Sequence, residues 1–274
     1  MPDTTAGLDV RQLSGTLGAE VRGISVRDAL DERVVREIRS LLDEHLVLVF
    51  PDQHLDDEEH LAFALRFGAP YVHPIGRTFG RKTAGVERIV DDAEHPPFQD
   101  KWHTDVSWDP APPTYGTLRA IDLPSRGGDT IWVNMYAAYD SLSPTMQKLI
   151  EPLDAVHDMG SMQSFIDKAG AEVVTKTREQ FPGATHPVVG IHPNTGRPYL
   201  NVNAEFTREI EGLRADESAA LLRLLTEHAR NPNVQHRHTW EVGELVIWDE
   251  RCTQHFAAAD YMPERREMGR VAVA

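Results

Sequence analysis

Read from its N-terminal end, the chain first alternates polar and apolar residues with period two. Leu8 to Leu13 has the pattern of a half-buried strand, and Ala19 to Gly23 matches it as a partner. The period then changes. Val34, Ile38, Leu41 and Leu42 share one helical face behind Asp31, an N-cap residue type. Leu46 to Phe50 is a continuous apolar run closed by Pro51, which predicts a buried strand. An acidic start at Asp56 predicts a second helix running to Phe67, before Gly68. Residues 74–101 read as loops around one apolar run, Val86 to Val90. Two strand-like runs fall between Trp102 and Val133, separated by Pro110, Pro112, Pro113 and Gly127-Gly128. Residues 134–181 read as helical in pieces. His186–His192 and Tyr199–Val202 flank Pro193-Asn194-Thr195-Gly196, a hairpin signal. Residues 216–229 form the strongest helical pattern, with Leu221, Leu224, Leu225 and His228 on one stripe. Glu244–Asp249 and Met268–Val273 read as strands. Many short strands with grouped helices predict an α+β protein with a mainly β core, a double-sheet barrel or jelly roll with flanking helices. Gly127-Gly128-Asp129-Thr130 lacks the spacing of a phosphate-binding loop, which argues against a nucleotide-binding α/β fold.

Composition narrows the function classes. In 274 residues, 28 Lys plus Arg stand against 43 Asp plus Glu, a net charge of −15. Phosphate backbones and anionic membranes need the opposite sign, so neither nucleic acid nor membrane is an expected partner. The single cysteine, Cys252, excludes an intramolecular disulfide and a zinc–cysteine cluster. The thirteen histidines are the plentiful nitrogen ligands. The first fifteen residues have neither a basic start nor an apolar stretch, and the Leu46–Phe50 run is too short to span a bilayer. A cytoplasmic location is the expectation.

Trp102-His103-Thr104-Asp105 carries the most pointed chemistry. On an extended segment, residues two apart face the same way, so His103 and Asp105 would offer a nitrogen and a carboxylate oxygen to one point. That is two thirds of the two-histidine, one-carboxylate triad that binds non-haem Fe(II) and leaves open positions. Such a triplet alone is common on solvated strands, so a third ligand has to come from elsewhere. His255 is the candidate, because it follows a buried-looking strand and a polar turn. Arg266 and Arg270 lie four apart on a predicted strand and can point inward together. Paired guanidinium groups suit carboxylate or sulfonate ligands, though a solvated basic turn reads the same way.

WHTD at 102–105, GGDT at 127–130, WDERCTQH at 248–255 and ADYMPERREMGR at 259–270 together resemble the taurine dioxygenase family of Fe(II)- and 2-oxoglutarate-dependent dioxygenases. The similarity runs in order along nearly the whole chain, and it implies a double-stranded β-helix, that is, a jelly roll, in one domain spanning 1–274. By position, it implies that His103, Asp105 and His255 are the iron ligands. It implies that Arg266 and Thr130 hold the distal carboxylate of 2-oxoglutarate. It implies that Arg270 and His73 contact a substrate anion, with Gln99 and Phe206 lining the rest of the pocket. Several positions depart from the taurine-specific pattern. Gly76 stands where a tyrosine is expected, Gln99 where an asparagine is, Met159 and Trp108 where phenylalanines are.

The resemblance therefore implies a dioxygenase that consumes O2 and 2-oxoglutarate to hydroxylate a small anionic organic substrate, releasing succinate and CO2. A sulfonate such as taurine or an alkanesulfonate is the first expectation, with sulfite and an aldehyde as products. An alkyl sulfatase, an aryloxyalkanoate or other carboxylate dioxygenase, and a tailoring hydroxylase are the alternatives of the same kind. A non-catalytic cupin-like metal-binding protein and a hydrolytic zinc site are alternatives of another kind. Asp105 argues against a halogenase, since it fills the position a halide would need. A homo-oligomer, dimer or tetramer, is the expected assembly.

Overall fold

The N-terminal alternation produces a hairpin. β1 (Asp9–Gln12) pairs antiparallel with β2 (Ala19–Arg22), Asp9 opposite Arg22. This is a computed structural model, and it describes residues 8–28, 30–97, 100–160 and 170–274. α1 (Glu32–His45) starts where Asp31 predicts, the carboxylate accepting from the N–H of Arg33 at 2.8 Å and of Val34 at 2.9 Å. Its buried face is Val35, Ile38 and Leu42, so the stripe is turned slightly from the one predicted through Val34. Leu46 is not strand: it closes the helix at φ 67°, and β3 (Val47–Phe50) follows. α2 (Asp57–Ala64) opens on a reciprocal Asp56–Glu59 cap. It stops short of Phe67 because Arg66 and Phe67 donate three residues back, to Phe63 and Ala64, in a tighter turn.

The region predicted as loop holds α3 (Pro74–Thr78), capped by His73, and β4 (Glu87–Asp91), which covers the apolar run. Then come β5 (Tyr115–Asp122), β6 (Thr130–Asn134), α4 (Met135–Asp140), α5 (Pro144–Ile150), β7 (Asp154–His157) and α6 (Ala171–Gln180). β8 (Ala184–Pro187) takes the start of the first predicted hairpin run into another sheet. The hairpin itself is β9 (Val189–Ile191) with β10 (Pro198–Leu200), turning through Gly196 at φ 69°. β11 (Thr207–Ile210), α7 (Ala215–Ala229), β12 (Gln235–His238), β13 (Leu245–Asp249), β14 (Thr253–Ala257) and β15 (Arg266–Val273) complete the order. α7 buries Ser218, Leu222, Leu225 and Ala229, and leaves Leu224, predicted inside, 44% exposed.

A seven-stranded sheet runs β1-β2-β3-β13-β5-β15-β4, antiparallel except where β2 meets β3. Period two sorts its side chains. Leu245 and Ile247 of β13 join Phe50, Val271 and Val273 under α1 and α2. Val246 and Trp248 face the other way, against Trp132 and Trp240 beside the three-stranded sheet β12-β6-β14. The architecture is mainly strands in packed sheets, with helices over the outer face and a second helical cluster around α4, α5 and α7. Among the described residues, no helix is long and apolar enough to cross a membrane.

Candidate metal centre

His103 and His255 meet across an isolated antiparallel bridge that joins the loop after residue 100 to β14. Each N–H donates to the other's carbonyl, at 3.1 and 2.8 Å. The chain does not continue as the extended strand that the H-x-D spacing predicts. It turns at once: Val106 has φ 51°, and Asp109 N–H donates to Val106 O. Thr104 Oγ1 pins the bend to Thr253 O at 2.9 Å. Asp105, the residue before this turn, points inward. Its Oδ1 lies 3.5 Å from His103 Nε2 and 3.9 Å from His255 Nε2, and the imidazole centroids are 4.2 Å apart. All three side chains are buried, with their candidate ligand atoms within 4.8 Å of one another.

These groups are held in ligating form. His103 Nδ1 donates to Lys101 O at 2.7 Å, which turns Nε2 toward Asp105. Burial, with His103 beside it, pushes His255 down to about 3, so its ring is neutral at pH 7. Burial alone would raise Asp105, but the Arg270 cation beside it outweighs this and holds the carboxyl well below the usual range. Two imidazoles and one carboxylate suit a divalent transition metal, Fe(II) among them. Trp248 packs on His255 at 5.4 Å and Phe206 presents an edge to His103 at 6.2 Å.

An anion slot adjoins the triad. A cavity of about 40 Å³ is bounded by Thr130, Trp248, His255, Tyr261, Arg266 and Arg270. Arg266 Nε donates to Gly128 O at 3.1 Å, while its Nη2 is buried without a partner. Thr130 Oγ1 accepts from Trp240 Nε1 at 3.0 Å, which frees its own proton to donate. The Gly127-Gly128 turn is required here. Both residues have positive φ, and a Cβ at Gly128 would lie 3.1 Å from Arg266 Cδ. An unpaired buried guanidinium N–H beside a free hydroxyl is what a carboxylate would satisfy.

Arg270 links this slot to a second cavity of about 60 Å³ shared with Tyr71, His73, Gly76, Arg81 and Glu87. It pairs with Asp105 Oδ2 and stands 3.4 Å from Glu87 Oε2. His73 Nδ1 accepts from Ile75 N–H at 3.3 Å, and burial first pushes its ring down to about 4. The neutral ring then carries its proton on Nε2, free to donate. Phe206 is a wall residue packed with Trp108 and Met159. Gln99 lies outside the described residues.

Three contributors escape sequence reasoning. Tyr261 supports Arg266 at 5.9 Å and donates to Asp91 at 2.8 Å. Trp240 orients Thr130. Glu250 is fully buried against the Asp105 N–H at 3.3 Å, and burial with the Asp105 charge pushes its carboxyl well up. The one available signal for Glu250 was its place in an Asp249-Glu250 pair directly after the apolar Leu245–Trp248 run. A second cluster, His192, Asp249 and Cys252, is also compact. Asp249 is already held by Arg251 and by His192 Nε2 at 3.0 Å, so this cluster braces the β13–β14 turn that aims His255.

Packed sheets that bring a nitrogen–nitrogen–oxygen triad against a buried guanidinium define a class of enzyme that seats a divalent metal next to a carboxylate cosubstrate. The chain belongs to the taurine catabolism dioxygenase TauD, TfdA family, whose model matches residues 9–272. It is 35% identical over 277 residues to an alkylsulfatase of Acinetobacter baylyi, with 98% of this chain and 86% of the relative covered. It is 35% identical to an alpha-ketoglutarate-dependent sulfate ester dioxygenase of Pseudomonas putida, covering 97% and 89% of the two chains. The crystal structure of AAD-2 in complex with Mn(II) and N-oxalylglycine superposes with a TM-score of 0.80 at 30% identity, covering 97% of each chain. The protein is thus a 2-oxoglutarate-dependent dioxygenase, an oxidoreductase that uses 2-oxoglutarate and O2.

Proposed function

We propose that this dioxygenase oxidises a small organosulfur anion, a sulfonate or an alkyl sulfate ester, with Fe(II) as its metal. The observation that carries the reading is Arg270. A second guanidinium, beyond the one in the cosubstrate slot, lies against Asp105 and opens onto a separate cavity with His73. His103 Nε2, Asp105 Oδ1 and His255 Nε2 would hold the iron. Fe(II) with 2-oxoglutarate supplies O2 activation and C–H hydroxylation when bound. Arg266 and Thr130 fix the far carboxylate of 2-oxoglutarate. Arg270 and the Nε2–H of His73 take the substrate anion, and Phe206 closes one side; Gln99 is proposed to line the same pocket. Asp105 spends Oδ2 on Arg270, so metal and substrate sites share one carboxylate and are held in fixed separation. Hydroxylation of the carbon that bears the sulfur or sulfate oxygen gives an adduct that collapses to an aldehyde and sulfite or sulfate. The two sulfatase-type relatives support the sulfate ester over taurine, as does the loss of an aromatic side chain at Gly76.

We read residues 1–274 as one domain, the paired sheets as a jelly roll, and the working form as a cytoplasmic homo-oligomer, a dimer or tetramer.

The test is succinate release with Fe(II) and 2-oxoglutarate over alkyl sulfates, alkanesulfonates, taurine and aryloxyalkanoates. Turnover of a sulfate ester or sulfonate, with KM raised about tenfold or more in Arg270→Gln, is the expected outcome. Turnover confined to carboxylates, or an unchanged KM, overturns it. His103→Ala or Asp105→Ala should lose metal binding by at least about 100-fold, read by Mn(II) titration.

A further inference from the structure

The mouth of the second cavity is built from an unusual stretch of this chain. Asp and Glu make up 43 of 274 residues, yet none occurs between Tyr71 and Val86, which holds Arg77, Arg81 and Lys82. Arg77 is committed to Asp109. Arg81 is not committed to any carboxylate among the described residues: its Nε donates to Thr83 O at 3.2 Å. Its backbone N–H is pinned to Gly76 O at 2.9 Å, which fixes where its side chain starts. The stem then crosses two glycines. A Cβ at Gly76 would lie 3.2 Å from Arg81 Cδ, and one at Gly85 would lie 3.7 Å from Nη2. Gly76 thus leaves the room in which the arginine stem lies, while Gly85 borders the guanidinium at ordinary contact distance. Arg81 lines the same cavity as Arg270 and His73, but it is exposed, at the solvent end. Glu87, the acid of this cavity, stands beside Arg270 rather than being paired with Arg81.

We infer that Arg81 is a specificity-determining residue that pairs with a second anionic group at the far end of the substrate. The substrate class is then a short-chain organosulfur anion with a terminal carboxylate, held by Arg270 at one end and Arg81 at the other. This rests on the reading of Arg270 given above. A flexible, solvent-facing guanidinium contributes modestly to affinity and strongly to the choice between substrates that differ at one end.

The experiment is calorimetric binding under argon to protein loaded with Fe(II) and 2-oxoglutarate. Alkyl sulfates of three to six carbons are compared with ω-carboxyalkyl sulfates of equal length. The expected result is that one length of the carboxylated series binds about fivefold or more tightly than its partner. Arg81→Gln should bring that ratio to one, and Arg81→Lys should restore part of it. A ratio of one at every length, no binding by either series, or a preference that survives Arg81→Gln overturns the inference. Succinate release is followed separately. Arg81-dependent binding without turnover leaves the inference standing and removes the sulfate ester reading. Turnover of both series with equal affinity does the reverse.

Discussion

Arg266 has one guanidinium nitrogen on the carbonyl of Gly128 and another, Nη2, buried without a partner. Burial pulls this arginine downward, yet a guanidinium keeps its charge in any protein, so the fold carries an unmet cation next to Thr130. A hydrogen bond to a charged group is worth about 1.5–3 kcal/mol, which corresponds to roughly 10- to 150-fold in affinity. Arg266→Ala should therefore raise the KM for 2-oxoglutarate by about that factor, measured by succinate release at saturating substrate. Arg266→Lys should not recover it, because a point charge lacks the planar pair of donors. Asp105 shows the same economy. Oδ1 faces the two imidazoles and Oδ2 faces Arg270, so one side chain orients both the proposed metal ligands and the proposed substrate cation.

At the level of elements, β5, β13 and β14 make the floor of the site. Gly116 lies directly opposite Trp248 in the ladder between β5 and β13. A Cβ there would meet Trp248 Cζ2 at 2.3 Å and Glu250 Oε1 at 2.7 Å, both in the buried core. Gly116→Ala displaces the indole, which packs on His255 at 5.4 Å, and overpacking of this kind costs about 1–3 kcal/mol. The expected outcome is a melting temperature lower by roughly 5 °C, together with weaker Mn(II) binding. A melting shift with unchanged metal affinity would separate the floor from the metal centre. The β13–β14 turn is held from within by Arg251 on Asp249 and from outside by His192 on the same carboxylate, and Thr253 Oγ1 donates to Asp249 O at 2.6 Å. His255 is thus positioned by a turn whose anchor comes from the β9–β10 hairpin.

Across the whole molecule, histidines that are folded neutral contribute to the loss of stability in acid. His60 Nε2 donates to Thr117 Oγ1 at 2.8 Å, and the hydroxyl passes its own proton to Val271 O at 3.0 Å. Burial drives His60 down to about 3, and His157 likewise to about 3. Both have ordinary values near 6.5 once unfolded. Between about 6.5 and 3 the unfolded chain binds the extra protons, so stability is full above that window and falls as pH drops through it. At pH 5 the loss is about 2 kcal/mol for each histidine. Urea unfolding of the metal-free protein at pH 7 and pH 5 measures it. In His60→Gln the drop between the two should shrink by about 2 kcal/mol, and an unchanged drop would contradict the assignment. The charge of −15 belongs to the exterior, while Arg266 and Arg270 reverse the sign inside the pocket.

Local pattern was sufficient for much of this protein. Asp31 and Asp56 start helices where they stand, because a cap is a contact over three residues. The hairpin around Gly196 and the apolar β3 and β13 were legible for the same reason. Motifs that fall between residues 102 and 270 named His103, Asp105, His255, Thr130, Arg266 and Arg270, and the structure brings these six around one connected site. Tertiary structure decided the rest. Leu224 faces solvent because α7 packs through Ser218, Leu222, Leu225 and Ala229 instead. His103 and Asp105 converge as their spacing expects, but the strand goes no further: the bridge to β14 ends at His103 and the chain turns at Val106. Trp240, Tyr261 and Arg81 carry no local signature and Glu250 only a faint one: what each does depends on groups that only long-range packing sets beside it. Periodicity reports which side of an element is dry, and only the assembled sheets determine what waits there.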